Sequence, residues 1–165
     1  MNDIDLSQLI SELKRWGNFN AGAHFLIKNL CVMNDWNYGE VWSNSYDKKF
    51  MVWNDFWSKD ENYFEKFSKF SSVHKFAKGV GLIGKTWEQK KPLLVENMSA
   101  DISFLRAEVA LQSGFNAAIG IPILNDDDVL CVLGFFKNNL TADDKKKSEN
   151  IFRYSSDLGK VLSSL

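Results

Sequence analysis

Gly79-Val80-Gly81-Leu82-Ile83-Gly84-Lys85-Thr86 is the stretch on which the reading of this chain turns. It satisfies the P-loop pattern G-x-x-x-x-G-K-T at every fixed position and also contains G-x-G-x-x-G. Either pattern signals backbone N–H groups that cradle a phosphate at a helix N-terminus. The surroundings argue against both. A P-loop follows a buried strand, whereas Ser71-Ser72-Val73-His74-Lys75-Phe76-Ala77-Lys78 is polar. A P-loop opens a full helix, whereas Pro92 limits any helix here to about two turns. Val80, Leu82 and Ile83 are bulky apolar groups where a phosphate-wrapping loop exposes backbone. A dinucleotide fold lacks its strand and its parallel sheet. The structural alternative is that Gly79 and Gly81 supply unusual backbone angles in a turn. Leu82, Ile83 and Trp87 then share one side of a short helix, and Pro92-Leu93-Leu94-Val95 resumes as a short strand. Nucleotide binding by 79–86 stays as the remote alternative.

Toward the C-terminus the pattern is plainer. Ala117 to Leu124 is an apolar strand, Asn125-Asp126-Asp127-Asp128 a tight polar turn, and Val129 to Phe136 a second apolar strand. Both strands are apolar on both faces, so the sheet is expected to be covered on each side. Thr141 caps a final helix over 141–164, with Asp143 and Asp144 in its first turn. Toward the N-terminus, residues 4–16 carry Leu6, Leu9, Ile10, Leu13 and Trp16 at helical spacing, and a second helix runs from Ala21 to Met33. Trp36 to Trp42 reads as a strand with Lys49 to Trp53 as its hairpin partner. Residues 60–70 and 104–113 read as helices, the latter with Arg106, Ala110 and Gly114 four apart. The chain is read as one domain over 1–165, with a core over 20–140 between the terminal helices. The apolar stripe Ile151, Tyr154, Leu158, Val161, Leu162 and Leu165 runs to the last residue, which favours a homodimer formed through those helices.

Composition bounds the function. The 165 residues are 45% hydrophobic and 14% aromatic, enough for a core of their own. Twenty basic and 21 acidic residues leave a net charge of -1, so electrostatics supports neither a nucleic-acid nor a membrane partner. The first residues, Met1-Asn2-Asp3-Ile4-Asp5, hold no apolar signal core, and apolar runs reach only about eight residues. The two cysteines, Cys31 and Cys131, sit in apolar runs at no metal or redox spacing. A cytoplasmic location is expected.

Taken together, Phe76-x-x-Gly79-x-Gly81-Leu82-x-Gly84-x-x-Trp87, Pro92, Phe104-x-Arg106-Ala107-x-x-Ala110-x-x-x-Gly114, Ala118-x-x-x-Pro122-Ile123 and Val129-x-x-x-Leu133-Gly134-Phe135-Phe136 resemble a GAF domain of the kind found in bacterial and plant signalling proteins. Trp36-x-Tyr38-Gly39-Glu40-Val41-Trp42 with Trp53 fits the first hairpin of that group. The resemblance implies an α+β, PAS-related fold: a central antiparallel sheet of five or six strands, terminal helices on one face, and a pocket of loops and short helices on the other. It implies a sensory domain in signal transduction that binds a small molecule, pairs with itself and passes its signal to a protein partner. A ligand-free interaction or dimerisation module is the alternative.

Within that family, bilin-binding members attach their chromophore through a cysteine, and residues 104–116 contain neither Cys nor His, which argues against covalent bilin. Free methionine sulfoxide reductases of this fold need pocket cysteines, and residues 76–116 contain none; on that ground the chain is expected not to be an enzyme. Cyclic-nucleotide binders carry an N-K…F…D-E pattern, of which Lys137 and Asp143-Asp144 remain. The ligand's identity is not fixed by these residues. The expected ligand-binding residues are Trp42, Trp53, Phe76, Trp87, Phe104 and Phe115, with Arg106 as the polar anchor for an anionic, carbonyl or aromatic group.

Overall fold

A computed structural model describes residues 5–101 and 104–165. Ile4, the start of the expected first helix, lies outside them. That helix, α1 (Leu6–Leu13), is capped by the Asp5 carboxylate, which accepts the Ser7 N–H at 3.0 Å. Helix α2 (Phe19–Asn34) is entered through the Asn18 side chain and closed by Asp35 in the left-handed region at φ +56°. Strands β1 (Tyr38–Asn44) and β2 (Met51–Ser58) form an antiparallel hairpin with a bulge at Val41/Trp42. β2 runs five residues past the expected Trp53 even though it includes Asn54 and Asp55. Polar residues of α2 accept them: Asn54 Nδ2 donates to Asn20 Oδ1 at 3.0 Å, and Asp55 Oδ2 lies 2.8 Å from His24 Nδ1.

The chain continues through α3 (Glu61–Ser72), the two-residue β3 (Lys75–Phe76), α4 (Gly81–Gln89), β4 (Leu93–Val95), a 3-10 turn at Met98–Ala100 and the short α5 (Ala107–Gln112). Strands β5 (Ala117–Asn125) and β6 (Asp128–Lys137) form the long hairpin read from the sequence. All neighbours in the six-stranded sheet, ordered β3-β2-β1-β6-β5-β4, are antiparallel. The expected C-terminal helix is two: α6 (Ala142–Arg153) and α7 (Ser155–Ser164). The break at Tyr154 lets the Ser155 hydroxyl donate to the Pro122 carbonyl at 2.6 Å and accept the Leu124 N–H at 2.9 Å. α7 then lies so close on β5 that a Cβ on Gly159 would stand 1.7 Å from the Leu124 carbonyl oxygen.

The sheet separates two cores, as strands apolar on both faces require. On one side α1, α2 and α7 pack on Ile119, Ile121, Ile123, Leu133 and Phe135. Leu158, Val161 and Leu162 of α7 are buried there and Leu165 packs against the same cluster. The stripe that argued for a homodimer is therefore covered by the chain's own helices. On the other side lies an aromatic core under α3, α4 and α5. Among the described residues no helix is long and apolar enough to cross a membrane.

One buried carboxylate ties α6 to the sheet. Asp144 receives Trp36 Nε1 at 2.8 Å, Lys137 Nζ at 2.6 Å and the Thr141 N–H at 2.9 Å, within a reciprocal capping box. Burial alone raises its pKa; the hydrogen bonds from Lys137, Trp36 and Thr141 outweigh it and bring the value from 3.8 down to about 2. A lowered folded-state pKa gives stability that is present above the unfolded value and lost as pH falls from 3.8 toward about 2. Urea unfolding at pH 7 and pH 2.5 is expected to show about 2 kcal/mol less acid loss in Asp144→Asn than in the parent. Equal losses in both proteins would mean that Asp144 does not carry this dependence.

Candidate functional site

Alternation along β1 sets Tyr38, Glu40 and Trp42 on the aromatic face of the sheet. Glu40 is fully buried there. Its partner across the ladder on β6 is Gly134, and a side chain at Gly134 would begin 3.0 Å from the Glu40 Cγ. The missing side chain is what makes room for the carboxylate. A buried carboxylate needs a cation and hydrogen bonds to offset its desolvation, and Arg106 supplies them from the N-cap position just before α5. Arg106 Nη1 donates to Glu40 Oε2 at 3.1 Å and to the Ser71 hydroxyl on α3 at 2.9 Å. Arg106 Nη2 stands 2.7 Å from Glu40 Oε1, an ion contact too far off axis to count as a hydrogen bond.

Four rings enclose the guanidinium. Its carbon lies 5.0–5.3 Å from the ring centres of Trp42, Phe67, Phe76 and Phe136, within cation–π range. Beside them, Tyr38 has its pKa raised well above the ordinary value, first by burial and then by the Glu40 charge, with Arg106 opposing. The Trp42 indole N–H is buried without a hydrogen-bond partner among the described residues.

All seven residues expected at the ligand site abut this one core. Trp42 stacks edge-on against Trp53 at 5.4 Å and Phe76 at 5.0 Å. Phe104 and Phe115 reach the centre through Phe136, at 6.1 and 5.7 Å. Trp87 sits apart on α4, with Lys78 over its ring at 5.1 Å. Around Arg106 these groups are packed on one another. The adjacent opening is a cleft of about 350 Å³ between α3 and α5, lined by Lys66, Phe70, Leu105, Glu108 and Val109 with Arg106 among them. A second, of about 230 Å³, opens beside Lys85, Leu94, Asn97 and Phe104. Glu40, Phe67, Ser71 and Phe136 were not among the expected site residues. The alternation of β1, an acidic residue two positions from each of two inward aromatics, was the available signal for Glu40.

The glycine stretch is not a phosphate cradle. α4 begins at Gly81, so the last six residues of the pattern, Gly81 to Thr86, lie inside a helix. Gly79 (φ +81°) and Gly81 (φ +65°) hold the turn, the Gly79 N–H donates to the Gly84 carbonyl at 2.8 Å, and a Cβ at Gly84 would meet the Ala77 carbonyl at 2.1 Å. ATP with magnesium at millimolar concentration is expected to leave the melting temperature unchanged in both the parent and Lys85→Ala. A stabilisation of the parent that Lys85→Ala loses would restore the P-loop reading. His24 Nδ1 lies 2.8 Å from Asp55 Oδ2, and His74 Nδ1 lies 2.6 Å from the Phe70 carbonyl oxygen.

A family model for the GAF domain matches residues 24–146. The chain belongs to the GAF domain family. No curated protein matches it. Solved structures share its fold: the free methionine-R-sulfoxide reductase of Neisseria meningitidis, in complex with its substrate, has a TM-score of 0.76 at 15% identity over 96% of this chain and 86% of the other. The A. aeolicus nlh2 GAF domain in an inactive state has 0.73 at 17% identity, over 96% and 93%. The GAF domain of a phosphoenolpyruvate-protein phosphotransferase from Coxiella burnetii has 0.75 at 15%, over 96% and 90%.

These likenesses correct one expectation. The chain was expected not to be an enzyme, yet the GAF fold it adopts also houses the reductases, so membership of this family does not set catalysis aside. The ground for that expectation, the lack of cysteine in 76–116, concerns thiol chemistry in that segment alone. The two thiols of this GAF domain, Cys31 and Cys131, lie on the opposite side of the sheet from Arg106. Burial raises both pKa values, that of Cys131 to about 12.

Proposed function

We propose that this GAF domain is a sensory or regulatory module whose aromatic cup takes a small molecule, with Trp42, Trp53, Phe76, Trp87, Phe104, Phe115 and Arg106 as the groups that contact it. The observation that carries this reading is the polar centre of the cup. One buried cation is held among the described residues by the side chains of Glu40 and Ser71, at the start of a six-residue helix and beside an open cleft. Apolar pockets with a few convergent polar groups are the usual form of small-molecule sites. The sheet offers a route outward, because β1 and β6 carry the cup on one face and the bed of the terminal helices on the other. Pairing through those helices belongs to the same reading. With the stripe of α7 already covered, it would use their outward faces.

The close packing around Arg106 favours a second reading, a ligand-free interaction module. Native mass spectrometry of the protein purified from its own host separates the two. A stoichiometric added mass that is lost on denaturation is expected from a sensor, and bare protein mass from a ligand-free module. The same spectrum reads the number of copies.

A further inference from the structure

We infer that the cup selects a cation, a guanidinium or alkylammonium group that takes the place of Arg106. This rests on the sensory reading above, names its ligand class, and makes Arg106 the group that the ligand displaces rather than one that it contacts. The contacts of the Arg106 guanidinium among the described residues all accept positive charge: the Glu40 carboxylate, the Ser71 hydroxyl oxygen and the faces of four aromatic rings. Aromatic cages closed by a carboxylate are a recurring solution for ammonium and guanidinium recognition. None of those groups lies on α5, so the cage stands complete on β1, β3, β6 and α3 when Arg106 leaves.

The two halves of the ion pair differ in their freedom to move. Glu40 is on a central strand, hydrogen-bonded to β2 and β6 on either side and fully buried, so an anion cannot enter by expelling it. Arg106 is at the start of a six-residue helix that has no side-chain cap. Its neighbour Leu105 is 58% exposed, and the helix is followed by Gly114 at φ +85°. The cleft between α3 and α5 already reaches Arg106. Arg106 is also the one buried basic residue among those described, so an anion that kept Arg106 would have to share it with Glu40. Arg106 thus acts as a tethered stand-in for the ligand, and binding exchanges one cation for another while α5 lifts.

The test is rescue of a vacated cage. Arg106→Ala is titrated with guanidinium, methylguanidinium or tetramethylammonium chloride at up to about 10 mM, against sodium chloride of equal ionic strength. The cations are expected to raise its melting temperature by about 3 °C or more above the sodium control, and to do so less in the parent, where Arg106 competes. Glu40→Gln/Arg106→Ala is expected to lose the difference. If Arg106→Ala does not fold, Arg106→Lys carries the same titration, since a shorter ammonium fills the cage less well and competes less. Equal melting temperatures in cation and sodium solutions for whichever of these variants folds would overturn the inference, as would a response that survives loss of Glu40. An anionic ligand in the native mass spectrum would also overturn the cation class while leaving the sensory reading in place. Bare protein there, together with cation rescue here, would remove the sensor and keep the cage.

Discussion

Glu40→Leu is expected to leave little folded protein at 37 °C. The substitution removes the carboxylate but leaves the Arg106 guanidinium in a site with 2% exposure, where only the Ser71 hydroxyl and ring faces remain to oppose its charge. Breaking a buried pair on one side costs about 3–5 kcal/mol, out of a typical total stability of about 5–15 kcal/mol. Arg106→Leu strands the Glu40 charge instead and is expected to cost about as much. The double variant Glu40→Leu/Arg106→Leu leaves no charge and fills the cage with apolar groups. It is expected to lie within about 2 kcal/mol of the parent, because well-packed apolar replacements of buried pairs are often neutral. Urea unfolding followed by circular dichroism gives all four corners of the cycle, with an expected coupling of at least about 3 kcal/mol. If Glu40→Leu cost less than about 1 kcal/mol, Arg106 must reach water without disturbing the fold, and the packed cage would not be the ground state.

The second large effect is expected at Gly159. In an exposed helix interior Gly→Ala gains about 1 kcal/mol. Here the new Cβ would meet the Leu124 carbonyl oxygen at 1.7 Å and its carbon at 2.6 Å, both backbone atoms that no rotamer change can clear. α7 must lift from β5, which loosens Leu158 and Leu162 and strains the two hydrogen bonds of Ser155. Gly159→Ala is expected to cost about 3 kcal/mol, at the upper end for overpacking, and Gly159→Val more. Gly17→Ala is the control: nothing lies within 4 Å of the added carbon, and its effect should stay within about 0.5 kcal/mol. Thermal unfolding of the three variants side by side reads the order directly. A Gly159→Ala protein as stable as Gly17→Ala would show that α7 does not seat on β5 as described.

What could be read from the sequence follows physical range. The β5–β6 hairpin was legible because its signal is local, two apolar runs around Asn125–Asp128. The same holds for the cap at Thr141 and for the turn at Gly79 and Gly81. The break at Tyr154 was not legible, since its cause is the reach of Ser155 to Pro122, 33 residues away. β2 ended early in the sequence reading because Asn54 and Asp55 look like loop residues until α2 supplies their partners. The seven residues named from the sequence lie against one core, with Arg106 buried within it. Its partner went unnamed because the pairing spans 66 residues, a separation at which composition and periodicity are silent.

Gly134 extends the ion pair to a third position. Its bare Cα holds the space that the Glu40 side chain fills, so drift at 134 is closed while Glu40 remains, and drift at 40 is closed while Arg106 remains. Positions 40 and 106 change as a pair, and a side chain at 134 becomes possible only after Glu40 has gone. Descendants that have abandoned the pair should show it as a side chain at 134, a small or apolar residue at 40, and the loss of arginine at 106.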